Sequence, residues 1–141
     1  MSIPVMLAIK GKQTYIDQDP DVIELTTEGT LDWNNGGWDI CYLESALTGL
    51  DGVATTFRIE EDKIILNRTG KLHSQMVFQE GVCHDSLYAS EFGALLITVC
   101  ATQVHTNLDE KGGTVDLVYN IEIENSQAGC IEYHLDVQVK Q

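Results

Sequence analysis

Strict alternation of apolar and polar residues limits this chain more than any other feature of its sequence. Val5, Leu7 and Ile9 alternate with Met6, Ala8 and Lys10. Ile23, Leu25 and Thr27 alternate with Glu24, Thr26 and Glu28, and Trp38, Ile40 and Tyr42 alternate with Asp39, Cys41 and Leu43. A period of two puts successive side chains on opposite faces of a strand, so each run has one face for a core. Turn-forming clusters separate the runs: Asp17 to Pro20, Asn34-Asn35-Gly36-Gly37, Asp51-Gly52, Glu60-Glu61-Asp62, Thr69-Gly70, Glu80-Gly81, Lys111-Gly112-Gly113 and Asn125 to Gly129. Asn-Gly between alternating segments is the strongest of these hairpin signals. The pattern predicts strands over about 4–12, 22–33, 37–46, 53–60, 63–69, 71–80, 86–91, 93–105, 114–124 and 130–140. Only 44–50 permits helix, and it is short.

Many strands with one apolar face, and no helix to cover it, need a sandwich or a barrel. Short turns between sequential strands favour a closed antiparallel up-and-down barrel of about eight to ten strands, which leaves no exposed edge. With 141 residues, no linker and no repeat, the expectation is one all-β domain over 1–141.

Charge narrows the range of partners. The net charge is −14, and the eight Lys and Arg residues are scattered. Neither a nucleic-acid backbone nor an anionic membrane is expected to bind such a chain. The N-terminal run Ile3 to Ile9 lacks a basic flank and contains Pro4, so it does not read as a secretory signal. A cytoplasmic protein is expected, in which Asn67-Arg68-Thr69 carries no glycan and Cys41, Cys83, Cys100 and Cys130 are free thiols.

An ordered set of short pieces carries a family resemblance. They are Tyr42-Leu43-Glu44, Thr48-Gly49-Leu50, Thr55-Thr56, Leu66 to Gly70, Met76-Val77-Phe78, Tyr88, Phe92-Gly93, Asn107 to Gly113 and Val118-Tyr119. In that order, from about Ile9 to Ile123, the chain resembles the YwiB-like family, a bacterial domain of unknown function. The resemblance implies a calycin-like or lipocalin-like β-barrel and carries over no catalytic residue. After Asn125 it carries nothing.

Strand parity gives the sharpest functional expectation. Glu44 shares the inward parity of Trp38, Ile40 and Tyr42, and Arg68 shares that of Ile64 and Leu66. Ser74 goes with Leu72, Met76 and Phe78, and Tyr119 with Val115, Leu117, Ile121 and Ile123. Glu44 and Arg68 are thus predicted to point inward near Tyr42, Ser74 and Tyr119, unless a bulge intervenes; Gly49, Gly52 and Gly70 stand where bulges or corners could fall. A buried charge without a partner costs several kcal/mol, on the order of a domain's whole stability, so the two charges must meet each other or a ligand. Arg68 would anchor an anion, as a guanidinium does, with Glu44, Tyr42 and Tyr119 orienting it. The bland counterpart is an internal salt bridge at a barrel end, or a solvent-open mouth.

Other motifs point to nothing specific. His73, His84, His105 and His134 make no zinc-binding spacing, with His73 and His134 on outward positions and His105 at a strand end. Cys83-His84-Asp85 in one loop is a poor metal trio, and neither metal nor cofactor is expected. No nucleophile elbow, phosphate loop or calcium loop is present, so no catalytic residue is nominated. Trp33 is expected to staple the Asn-Asn-Gly-Gly hairpin against Trp38.

The functional reading is therefore a barrel that binds a small anionic or amphipathic molecule. The alternative is a structural or interaction protein, acting through its outer surface or as a homodimer, using strand 93–104, where Leu95, Leu96, Ile97, Val99, Cys100 and Val104 make both faces apolar. An enzyme has no positive support beyond the acidic–basic pair of Glu44 and Arg68.

Overall fold

Ten strands form in a computed structural model of the chain, which describes residues 2–14, 19–44, 52–90, 93–124 and 126–140. They are β1 (Ile3–Thr14), β2 (Asp21–Asn34), β3 (Gly37–Leu43), β4 (Ala54–Ile59), β5 (Ile64–Thr69), β6 (Leu72–Phe78), β7 (Cys83–Ser90), β8 (Gly93–Asp109), β9 (Gly112–Ile123) and β10 (Ser126–Val139). Each pairs antiparallel with its neighbours in sequence, and β1 pairs with β10 to close the barrel. Among the described residues none is helical, so no helix is long and apolar enough to cross a membrane.

The expected helix-permissive piece and Thr48-Gly49-Leu50 lie outside the described residues, apart from Glu44. So do 45–46 of the expected third strand, Asp51, Phe92, Asn125, and 17–18 of the first turn.

Inward rows follow the register. Leu31, Ile40, Phe57, Leu66 and Met76 are successive cross-strand partners on β2 to β6. Trp33, Trp38, Ile59, Ile64 and Phe78 make the next row. Phe57 and Phe78 are almost wholly buried. They cross the interior to Tyr133 and Tyr119, with ring centroids 5.6 and 4.6 Å apart. Each such buried ring stabilises the fold by roughly 1.5–3 kcal/mol through removal from water. This layer crosses the barrel at its middle.

Asn35 and Gly36 turn the β2–β3 hairpin with φ of 48° and 80°, the pair of positive values that a two-residue hairpin turn of matching twist requires. Trp33 and Trp38 pair across it, centroids 4.9 Å apart and edge to face. Trp33→Ala is expected to cost about 1 kcal/mol, read as a lower urea midpoint, because Trp33 is 56% exposed and its worth lies in this one contact. An unchanged midpoint would remove the staple from the account.

Three expectations are corrected. Cys83 and Cys100 are not free thiols: they stand opposite each other on β7 and β8 and are joined by a disulfide, while Cys41 and Cys130 remain free. Cys83-His84-Asp85 is not a loop but the start of β7, where successive residues face opposite sides and cannot converge on one ion. His105 lies inside β8, which runs on to Asp109. One apolar residue of the apparent two-faced strand, Val104, changes phase for a local reason. A register shift between Ala101 and Gln103 puts Ala101 and Val104 on the same side, although their spacing is odd.

Candidate functional site

One end of the barrel carries the polar groups. Gly29, Tyr42, Thr55, Arg68, Ser74 and Tyr88 are partners in an unbroken row across β2 to β7. Tyr42, Thr55 and Ser74 are buried, and the Arg68 side chain is 20% exposed. This row lies one step nearer the open end than the Leu31 to Met76 row. Glu44 follows β3, where its backbone N–H donates to the Val53 carbonyl at 2.8 Å and so continues the pairing past Leu43. The inward parity of Tyr42 therefore extends to it, and its side chain is 2% exposed.

Glu44 and Arg68 face each other across β4. Arg68 Nε stands 3.7 Å from Glu44 Oε2, an ion-pair distance longer than a hydrogen bond. Thr55 Oγ1, on the strand between them, donates to the same Glu44 oxygen at 2.5 Å. Arg68 Nε and its register neighbour Ser74 Oγ are buried and have no hydrogen-bond partner among the described residues. Buried polar groups are nearly always satisfied, so these two mark a place where an acceptor belongs.

A cavity of about 580 Å³ opens above the Phe57 and Phe78 layer. Tyr42, Glu44, Arg68, Tyr119 and Tyr133 line its polar side; Leu25, Met76, Ile121 and Ile131 line its apolar wall. Four of the five predicted residues meet there. Ser74 stands beside Arg68 but is not part of the lining. Val22 and Ile23 also border the cavity and are each 53% exposed, giving the mouth an apolar rim.

The phenols stay protonated. Burial, then the Glu44 carboxylate, pushes Tyr42 up to about 12. Burial pushes Tyr119 up to about 12 against the Arg68 charge, and pushes Tyr133 well above the ordinary tyrosine value. Tyr42 and Tyr133 share a side-chain hydrogen bond. Tyr133 donates to Tyr42 and Tyr42 to Glu44, so these two phenols form a protonated chain that ends on the carboxylate.

Thr55 and Tyr133 were missed from sequence. Thr55 has the parity of Phe57 and Ile59, and Tyr133 that of Leu135 and Val137; the same face argument would have found both.

His134 sits outside the barrel. Nδ1 meets Asp116 Oδ1 at 2.5 Å and Nε2 meets Asp136 Oδ2 at 3.0 Å. With both ring nitrogens turned to carboxylates it is an imidazolium strut between β9 and β10 and keeps no lone pair for base chemistry. Lys10 and Asp116 are its direct register partners, Glu132 and Asp136 flank it, and His105 lies beyond Asp116. Its pKa is raised, chiefly by the Asp116 bond. A raised folded value means that the gain is fully present below about pH 6.5 and is lost as pH rises through the folded value. The thermal midpoint should therefore fall as pH rises from about 6.5, and His134→Gln should flatten that part of the profile. An identical slope in the variant would remove the strut. Among the described residues no group of three or more His, Cys, Asp or Glu could hold a metal ion.

Comparison with known proteins agrees with this architecture. The model of the family described as Domain of unknown function (DUF1934) matches residues 7–136. The Bacillus subtilis (strain 168) protein named Uncharacterized beta-barrel protein YwiB is 23% identical over 124 residues, 88% of this chain and 85% of that protein. The crystal structure of the ywiB protein from Bacillus subtilis superposes with a TM-score of 0.82 at 21% identity, covering 96% of this chain and 92% of that one. At that identity the likeness speaks for the fold alone. The matched span takes in eight strands completely, β2 to β9, and most of β1 and β10, and on that ground this chain belongs to the DUF1934 family.

Proposed function

We infer that the barrel binds a small amphipathic molecule whose polar head meets Arg68 and whose apolar body lies along Leu25, Met76, Ile121 and Ile131. The observation that carries this reading is the buried Arg68 Nε, an unsatisfied donor on a residue lining a cavity of about 580 Å³. Ligand sites are commonly concave, mostly apolar, and furnished with a few convergent polar groups. Tyr42, Tyr119 and Tyr133 are those groups beside Arg68, and Glu44, itself held by Thr55, accepts from Tyr42. The Phe57 and Phe78 layer closes the floor, so a ligand enters by the rim.

The test is a methyl and amide NMR titration against a library of small amphiphiles. Saturable shifts at Tyr42, Arg68, Tyr119 and Tyr133 that vanish in Arg68→Gln are the expected result. Saturation with no response at these residues, or no saturation at all, contradicts the reading.

A second reading, an interaction surface or homodimer, draws on Leu87 and Leu95, which are 63% and 44% exposed on β7 and β8. Sedimentation of a monomer at high concentration would exclude the homodimer.

A further inference from the structure

Building on the cavity reading, we propose that the head group this barrel accepts is uncharged and carbonyl-like, an amide above all, rather than the anion that an inward arginine suggests. The argument is one of charge balance. Arg68 does not wait for an anion, because the Glu44 carboxylate already faces it at 3.7 Å from the same wall of the cavity. Glu44 is in turn held by Thr55, so it cannot swing away from an entering ligand without losing that bond. A carboxylate head would have to shed its water, approach Arg68, and sit beside a second carboxylate. Two like charges at close range in a place shielded from water disfavour each other strongly. An ammonium head meets the same difficulty at Arg68.

The rest of the molecule points the same way. The chain carries a net charge of −14, a field that lowers the local concentration of anions at any opening. Of the other charges in the lining, Lys12 is already met by Glu132, and Asp21 adds a second negative charge at the mouth. The unmet requirement at the site is a neutral one, a single acceptor for Arg68 Nε. A carbonyl oxygen supplies that and brings no charge to be balanced. The phenol of Tyr119, which also lines the cavity, supplies a further neutral hydrogen bond to it.

The test compares three nine-carbon ligands of matched body at pH 7: nonanamide, nonanoate and nonylammonium, titrated by calorimetry below their aggregation thresholds. The expected result is that nonanamide binds at least tenfold more tightly than either ion. Glu44→Gln, which leaves the Arg68 charge unbalanced, should invert the order and favour nonanoate by at least tenfold. Arg68→Gln should instead favour nonylammonium, and it remains informative if Glu44→Gln fails to fold. Preference of the unaltered protein for nonanoate or nonylammonium overturns the proposal and leaves the cavity reading intact. Absence of saturable binding by all three overturns the proposal and counts against the cavity as a ligand site.

Discussion

Glu44→Ala is expected to lower stability by about 3 kcal/mol, measured as a urea midpoint with unchanged slope. Removing one member of a buried pair leaves the other charge without its partner, which typically costs about 3–5 kcal/mol. Arg68 keeps a fifth of its side chain in contact with solvent, which places the effect at the lower end. The substitution also takes away the acceptor of the Thr55 hydroxyl, itself fully buried. The pair is not the cheapest way to fill this space, however. Replacing both members together, Glu44→Leu with Arg68→Met, should recover most of the loss, because an apolar pair of similar volume carries no desolvation cost. A single-variant loss under about 0.5 kcal/mol would mean that the two charges are not coupled. The combined variant should fold and lose ligand binding, which separates what the charges do for function from what they do for stability.

Gly113→Ala is expected to cost about 4 kcal/mol or more, enough to abolish the folded state of a marginal barrel. Gly113, the second residue of β9, has φ of 145°, where an L side chain is strained. A Cβ placed there would fall far inside van der Waals contact with the Asn107 carbonyl oxygen on β8, and that oxygen is backbone and cannot rotate aside. Leu108 and Gly113 are register partners, so the clash would part β8 from β9 at the root of their hairpin. Loss of the sharp amide spectrum, or expression only as aggregate, is the expected observation. A folded Gly113→Ala with a midpoint near that of the unaltered chain would show that the hairpin can be built another way.

The sequence was most legible where alternation was cleanest. On β3, β5, β6 and β9 the apolar phase runs without a break, so parity correctly carried Tyr42, Arg68, Ser74 and Tyr119 inward. Glu44 followed although it lies just past β3, because pairing with Val53 continues the strand geometry by one residue. Legibility failed where the ladder is irregular. The shift between Ala101 and Gln103 reversed the phase of β8, and one between Gln127 and Gly129 hid the first residues of β10 behind what looked like a long turn. The start of β7 was missed because Cys83, His84 and Asp85 show no apolar alternation; their strand character comes from pairing with Cys100, Val99 and Thr98. That same oversight concealed the disulfide, since two cysteines 17 apart give no local sign that their strands are neighbours. The size of the cavity could not be read from the sequence. Its volume depends on how far the Phe57, Phe78, Tyr119 and Tyr133 rings reach across the interior, which is a matter of packing between strands far apart in the chain.

The central claim is that the space above this aromatic layer holds a ligand at Arg68. Native mass spectrometry of the protein purified under gentle conditions from the cells that encode it tests this most directly, followed by denaturation to release whatever is bound. The account predicts one equivalent of a small uncharged amphiphile that is absent from Arg68→Gln. The mass of the bare chain, from protein never exposed to detergent or organic solvent, together with no uptake of nonanamide added back, would contradict it.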